Sequence, residues 1–348
     1  LRKLYAYQNS SIATLPYFVL TQTPTGDALW ANPLSNLSSI GFPLPSGVCY
    51  SDYMYWDTIT GVWLTGGSNV HLGCGAGELN QGSNIVAIGN NAGHANQELN
   101  AVAIGANAAT LNQGMDAIAI GNEAGSNTQR SLSIAIGSGA GYDSQLDAAI
   151  AIGYHAGRAY QTTLAIAIGA AAGSLYQGNS AIAIGYEAGE NYQKANAIAI
   201  GVSAGINSQE EYAISIGTLA GASNQKANAI AIGYSSGVVD QSINSIAIGF
   251  MAGQQIQSSN AIAIGVNAGT SNQEESAIAI GNSAGGSSQG EFAVAIGDSA
   301  GNLTQGHNAI AIGNNAGNNG QLIGAIAIGG NAGTSNQEES AIAIGNSA

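Results

Sequence analysis

The chain has 348 residues, of which 51 are glycine, 45% are hydrophobic and only 7% are charged. The hydrophobic residues are mostly alanine and isoleucine, which predicts thin, regular layers rather than one thick globular core. The formal net charge is −14 with six Lys and Arg in all, which disfavours nucleic acid and anionic membranes as partners, and no apolar run approaches the roughly 18–20 residues that cross a bilayer.

Residues 1–67 form a non-repetitive segment that holds all five prolines and all three tryptophans. The stretch from Tyr53 to Leu64 predicts two β-strands joined by a tight turn that contains Gly61. A boundary follows at Thr65-Gly66-Gly67. We expect a small β-rich domain that caps the open end of the repeats, or docks the chain onto a capsid, a tail or another surface anchor.

Residues 68–348 are an uninterrupted repeat. From Gly73 to Gly345 a glycine recurs every 16 residues, and with that glycine as position 1 the repeat reads G-x-x-A-G-x-x-x-Q-x-x-(N/S)-A-(I/V)-A-I. The alternation of Ala and Ile predicts a short strand with the Ile side chains on one face and the Ala side chains on the other. Glycine permits the sharp corners between strands. The sequence therefore predicts an all-β fold, a parallel β-roll or β-solenoid of about 17 coils with a 16-residue period.

The two faces of this strand predict an interior and an interface. We expect the Ile side chains to point into the coil, where stacked Ile would hold neighbouring coils together. The Ala side chains would then form an outer apolar stripe larger than soluble monomers usually expose. Because small side chains allow close backbone approach, we predict a homotrimer with three Ala faces around its axis.

A glutamine occupies position 9 of all 17 complete repeats, whereas its neighbours vary freely. This constancy predicts inward amides that satisfy backbone groups of the turn or of the next coil. An exposed glutamine ladder that binds a partner is the alternative. The predicted structural ladder consists of Gln81, Gln97, Gln113, Gln129, Gln145, Gln161, Gln177, Gln193, Gln209, Gln225, Gln241, Gln257, Gln273, Gln289, Gln305, Gln321 and Gln337.

Five tyrosines recur at positions 2 and 8 over three adjoining coils: Tyr154, Tyr160, Tyr176, Tyr186 and Tyr192. If they point outward, they form a ridge suited to stacking on the sugar rings of a host surface glycan. Scattered surface tyrosines are the simpler interpretation.

The sequence predicts neither an enzyme nor a cofactor or metal site. The four histidines occupy different repeat positions without Cys or carboxylates at metal-ligand spacing. They are expected to be solvated or end-coil residues, and they are His71, His94, His155 and His307. Three acidic pairs follow the conserved glutamine, where charge varies freely, and are expected to be solvated rather than paired for glycan cleavage: Glu210-Glu211, Glu274-Glu275 and Glu338-Glu339. Cys49 and Cys74 are too few for a disulfide framework, and their redox state stays open.

One repeat motif resembles a known family. Asn244-Ser245-Ile246-Ala247-Ile248-Gly249 is similar to the Asn-Ser-Val-Ala-Ile-Gly head repeat of trimeric autotransporter adhesins, and Asn260 begins a near copy. The resemblance implies a left-handed parallel β-roll assembled as a trimer, with Ile in the roll core and Ala toward the axis. The adhesin repeat is usually about two residues shorter and lacks the Ala-Gly corner and the fixed Gln. Similar arrays also resemble segments of viral and phage fibre proteins.

The function we expect is that of a structural fibre or shaft at a virion or cell surface, which projects or mediates attachment to a host surface. A bacterial adhesin head that binds matrix or glycans is the alternative. An ice-binding solenoid is disfavoured because no position recurs as Thr, and a fibre-borne glycan hydrolase is disfavoured by the solvated acids. Because the chain lacks an initial Met and ends within a repeat, we expect it to be part of a longer protein.

Overall fold

The computed structural model describes residues 19–22, 28–31, 53–57 and 60–348. The chain divides into two units, Leu1–Ser68 and Asn69–Ala348. The unit boundary lies within two residues of the predicted one. The expectation of an N-terminal cap rests mostly on residues outside the described ones, as does Cys49.

The N-terminal unit contains two antiparallel strand pairs: β1 (Val19–Gln22) with β2 (Ala28–Ala31), and β3 (Met54–Asp57) with β4 (Val62–Thr65). The second pair is the predicted hairpin. Its turn is held by Thr60, whose Oγ1 donates to Oδ2 of Asp57 at 2.6 Å, and Gly61 supplies a residue with φ of 67°.

The second unit is the predicted β-solenoid of parallel strands. One strand of each coil, at positions 14–16, belongs to the isoleucine sheet, in which every strand pairs in register with the strand 16 residues on. This sheet contains β5 (Val70–Leu72), β6 (Val86–Ile88), β8 (Val102–Ile104), β10 (Ile118–Ile120), β12 (Ile134–Ile136), β14 (Ile150–Ile152), β16 (Ile166–Ile168), β17 (Ile182–Ile184), β19 (Ile198–Ile200), β21 (Ile214–Ile216), β23 (Ile230–Ile232), β25 (Ile246–Ile248), β27 (Ile262–Ile264), β29 (Ile278–Ile280), β31 (Val294–Ile296), β33 (Ile310–Ile312), β35 (Ile326–Ile328) and β37 (Ile342–Ile344).

The other strand of each coil ends on the conserved glutamine and belongs to the glutamine sheet. It contains β7 (Ala95–Gln97), β9 (Leu111–Gln113), β11 (Asn127–Gln129), β13 (Asp143–Gln145), β15 (Ala159–Gln161), β18 (Asn191–Gln193), β20 (Asn207–Gln209), β22 (Ser223–Gln225), β24 (Val239–Gln241), β26 (Gln255–Gln257), β28 (Ser271–Gln273), β30 (Ser288–Gln289), β32 (Thr304–Gln305), β34 (Asn319–Gln321) and β36 (Ser335–Gln337). Between β15 and β18 the sheet continues through single bridges made by Leu175.

The interior of the coil is lined by alanine, and this overturns the predicted orientation of the strand. Ala119 of β10 is fully buried, while Ile118 and Ile120 on either side are partly exposed. The same pattern recurs along the sheet, and position 16 reaches 36–37% exposure at Ile184 and Ile296. The expected inward Ile and outward Ala are therefore wrong: Ile forms the outer face and Ala the inner one.

The reason for this orientation is the thinness of the coil. Its interior already receives Ala side chains from positions 4 and 13 and the glutamine side chain from position 9, as Ala124, Ala117 and Gln129 show in one region of the rod. A space filled from three directions in this way leaves room for a methyl group at position 15 but not for a butyl group. The alternating sequence places Ala and Ile on opposite faces of the strand. The volume inside the coil determines which of the two faces is buried.

Left-handed backbone turns each coil at fixed positions. Position 1 is always glycine, with φ of 130° at Gly121, and an added Cβ there would lie 2.7 Å from the carbonyl oxygen of Gly137 in the next coil. Positions 3, 8 and 12 also take positive φ, for example at Asn107, Asn112 and Asp116. Asn and Asp tolerate this conformation better than other non-glycine residues, which accounts for their frequency at these corners.

Candidate functional site

The glutamine side chains run through the rod as a continuous amide ladder. Gln129 donates from Nε2 to Oε1 of Gln145 at 3.2 Å, and to the carbonyl oxygens of Ile118 at 2.8 Å and Ser133 at 3.3 Å. The first contact joins the side chain to the next coil. The other two join it to the backbone of the isoleucine strand and of the return turn. Buried polar groups require such partners, and among the buried amides only the Oε1 atom of Gln97, at the start of the ladder, has none in the part of the chain that the structure describes.

The line of amide-to-amide hydrogen bonds begins at Gln97. From Gln97 to Gln337 the side chains are buried, and neighbouring amides are joined at 2.6 Å between Gln97 and Gln113. Gln81 instead turns its Nε2 toward the carbonyl oxygens of Leu79 and Gly93, at 2.7 and 3.0 Å. Sequence alone did not reveal this difference, because Gln81 obeys the repeat.

The first coil differs because a histidine stands where the repeat has alanine. His71 pairs in register with Ala87, and a Cβ added to Gly77 would lie 2.9 Å from the imidazole ring. The ring therefore occupies the interior at this end of the rod. Burial lowers the pKa of His71 below its ordinary value of 6.5. The expectation that His71 is a solvated or end-coil residue holds only in its second part.

The five tyrosines do not act as a single ridge. Tyr160, Tyr176 and Tyr192 stack on one another, with ring centroids 4.8 and 5.1 Å apart. Tyr154 instead stacks on His155 at 4.0 Å. The hydroxyl of Tyr186 hydrogen-bonds to Glu187, which raises the pKa of that tyrosine.

Two of the remaining histidines, His94 and His307, make local contacts with outer carboxylates. The Nδ1 atom of His307 lies 3.5 Å from Oε2 of Glu274, and both side chains are about half exposed. They border an open groove of about 550 Å³. His94 lies 3.4 Å from Glu78 in the same manner.

The acidic pairs are far from one another. Glu274-Glu275 and Glu338-Glu339 are separated by four coils, about 19 Å at the spacing of parallel strands. Among the described residues no three His, Cys, Asp or Glu side chains are placed to share a metal ion.

One uniform surface of the rod is the outer side of the isoleucine sheet. In each full coil it presents the Ile or Val side chains of positions 14 and 16, such as Ile214 and Ile216, in register over 18 strands. No charged side chain occurs at these two positions. This isoleucine face is the candidate functional surface of the chain.

Comparison with known proteins adds no relative to this picture. No family model matches the chain, and neither a curated protein nor a solved structure is similar to it. The part of the chain that the structure describes contains no helix long and apolar enough to cross a membrane.

Proposed function

We propose that this chain is a structural shaft, a rod of self-associating protomers that belongs to a fibre at a virion or cell surface. The observation that carries the proposal is the uniform isoleucine face, which continues through 18 strands without a charged interruption. A rod of 17 coils measures roughly 80 Å. Residues 267–284 and 331–348 are identical, and adding such coils lengthens a shaft without altering its cross-section.

The isoleucine face supports self-association. Partly exposed Ile and Val side chains at two positions per coil offer an apolar area on the order of 1,000–2,000 Å² per protomer, above the about 800 Å² per partner of a standard stable interface. Because the Ala side chains lie inside the coil, they cannot form the trimer contacts expected from the sequence. We propose a homotrimer with three isoleucine faces around its axis. The adhesins that the motif resembles are also trimers, but the resemblance implies Ala rather than Ile toward the axis.

The N-terminal unit is proposed to attach the shaft to a capsid, a tail or another surface anchor. Its β3–β4 hairpin presents Trp56 and Trp63, about half exposed and in edge-to-face contact at 5.7 Å. Exposed aromatic residues are enriched at protein interfaces. An adhesin head that binds matrix or host glycans remains the alternative use of the same architecture.

The test is the solution mass of the whole chain by light scattering, together with rod length by electron microscopy. We expect three times 34.6 kDa and rods of the length given above. The change of Ile198, Ile200, Ile214 and Ile216 to Thr keeps β-branched side chains in the strands but removes apolar surface, and it should shift the mass toward the monomer. A matched control changes Val239 and Ile256 of the glutamine sheet to Thr and should leave the mass unchanged. A wild-type monomer at all concentrations would refute the assembly.

Ice binding is the second class of function that one observation favours, because the outer Ile side chains form a regular array in register. The array lacks the hydroxyl groups that recurrent Thr would supply, so we expect no thermal hysteresis. A clear thermal hysteresis that disappears when Ile198 and Ile214 are changed to Lys would identify the chain as an ice-binding protein instead of a shaft. Turnover of surface polysaccharides that is lost when Glu274 and Glu275 are changed to Gln would instead identify the chain as a glycan hydrolase.

A further inference from the structure

Three adjacent coils hold their tyrosine rings in a parallel stack. The rings of Tyr160 and Tyr176 are tilted by only 4° and those of Tyr176 and Tyr192 by 5°, with centroids 4.8 and 5.1 Å apart. The three residues are 47%, 46% and 52% exposed in chain order. We call them the tyrosine ladder. Its phenols are held beside one another and are accessible to reagents in solution.

The stack restricts what the tyrosine ladder can bind. Both faces of the Tyr176 ring are covered by its two neighbours, so a sugar ring cannot lie on it. The outer faces of Tyr160 and Tyr192 are the two that the stack itself leaves uncovered. The groups that stay available for reaction on all three rings are the phenol hydroxyl and the ring carbons ortho to it.

We propose that the tyrosine ladder is a site of oxidative cross-linking, where a dityrosine bond joins tyrosines of neighbouring coils. Each of two phenols loses one electron and its hydroxyl proton to give a phenoxyl radical. The radicals join through the ring carbons ortho to the oxygens, and the two displaced ring protons move to the oxygens to restore the phenols. The co-reactant is hydrogen peroxide with a haem peroxidase, and one peroxide takes up the two electrons and two protons to give two waters.

The geometry favours a bond within one chain over a bond between chains. A phenoxyl radical on Tyr176 has a neighbouring phenol in contact on either side, and partners held in contact react as though at very high local concentration. At micromolar protein, encounters between chains are rare by comparison. The dityrosine bond links neighbouring coils covalently, whereas without it individual coils can open locally.

A second stack in the same rod supplies an internal comparison. Tyr234 and Phe250 lie 5.3 Å apart with planes at 11°, close to the geometry of the tyrosine ladder. Phe250 has no hydroxyl to lose and cannot form a phenoxyl radical. The change Phe250→Tyr therefore adds the missing phenol to an existing stack.

The experiment treats the whole chain, at low micromolar concentration, with haem peroxidase and hydrogen peroxide. Dityrosine fluorescence, denaturing gels and mass spectrometry of cross-linked peptides are the readouts. We expect a loss of two hydrogens per bond, bonds between Tyr176 and either neighbour, and protein that still migrates as a single chain. Tyr176→Phe should lower the fluorescence at least fivefold while circular dichroism stays unchanged, and Phe250→Tyr should add a bond to Tyr234.

The control is Tyr212→Phe, which removes an exposed tyrosine outside the ladder and should leave the fluorescence unchanged. The proposal is overturned if the ladder tyrosines form no bond, if they join different chains on the gel, or if Tyr176→Phe reacts as the wild type does.

Discussion

Gln257 donates from its amide nitrogen to Oε1 of Gln273 at 3.0 Å, inside the rod and one coil away. The same nitrogen lies 2.8 Å from the carbonyl oxygen of Ile246, and Gln241 donates to Gln257 at 3.2 Å. One side chain thus serves both as donor and as acceptor in a line of buried amides.

Gln257→Leu should destabilise the rod by about 1–3 kcal/mol, the cost of leaving buried polar groups without a partner. Gln241 loses its amide acceptor and Gln273 loses its amide donor. The measurement is chemical denaturation followed by circular dichroism. Gln255→Leu is the matched control, since Gln255 lies two residues earlier in the same strand but is exposed. Equal effects of the two changes would contradict a structural role for the ladder.

Ala231→Val should cost about 1–3 kcal/mol, because an enlarged side chain must fit a filled interior. Ala231 is fully buried, whereas Ile256 on the outer side of the glutamine sheet is 50% exposed. Ile256→Val changes the chain by one methylene at an open site and should alter stability by less than about 0.5 kcal/mol. A harmless Ala231→Val would mean that the alanine face is not the interior.

Ala231 also shows how far the sequence leads. The period of 16, the parallel coils, the hairpin and the inward glutamines follow from the alternation, the glycine corners and the constancy of position 9. Which face of the strand lies inside depends on the cross-section of the closed coil, which no single strand reveals. The tyrosine ladder is visible in the sequence as a recurrence at position 8, but the stacking of its rings depends on coil register.

Gly201→Ala should destabilise the rod by about 2–4 kcal/mol, through backbone strain and a forced shift of the next coil. Gly201 has φ of 130°, and an added Cβ would lie 2.7 Å from the carbonyl oxygen of Gly217. Thermal unfolding should show the loss. Gly330→Ala is the control, because the only atom near an added Cβ there is Oδ1 of Asn346 at 3.2 Å. Similar melting of both variants would show that position 1 does not need glycine.

Tyr212→Asn should stabilise the rod by about 0.5–1 kcal/mol, since Asn adopts the left-handed conformation at lower cost than an aromatic residue. Tyr212 has φ of 60° and is exposed. The next three coils have Asn at this position, and Asn228 donates to Asn244 at 3.2 Å. The reverse change, Asn244→Leu, should be destabilising by a similar amount in denaturant titrations. Equal stability of the wild type, Tyr212→Asn and Asn244→Leu would contradict this prediction.

His71 should make the first coil sensitive to acid. Burial lowers its pKa in the folded chain below the ordinary 6.5, so the unfolded chain binds the proton more readily. Stability contributed by the neutral imidazole is therefore present above about pH 6.5 and lost as the pH falls toward the folded pKa. Hydrogen exchange at pH 7.5 and 5, corrected for intrinsic rates, should show faster opening of residues 70–88 at the lower pH.

The change His71→Ala restores the residue that the repeat places at position 15, as in Ala87 of the next coil. It removes the titrating group, so the exchange of the first coil should then vary less between the two pH values. Coils near Ile230–Ile232, far from His71, serve as the internal reference and should not respond to this change. If the acid response of the first coil is the same in His71→Ala as in the wild type, its source is another group and the buried imidazole does not control the end of the rod.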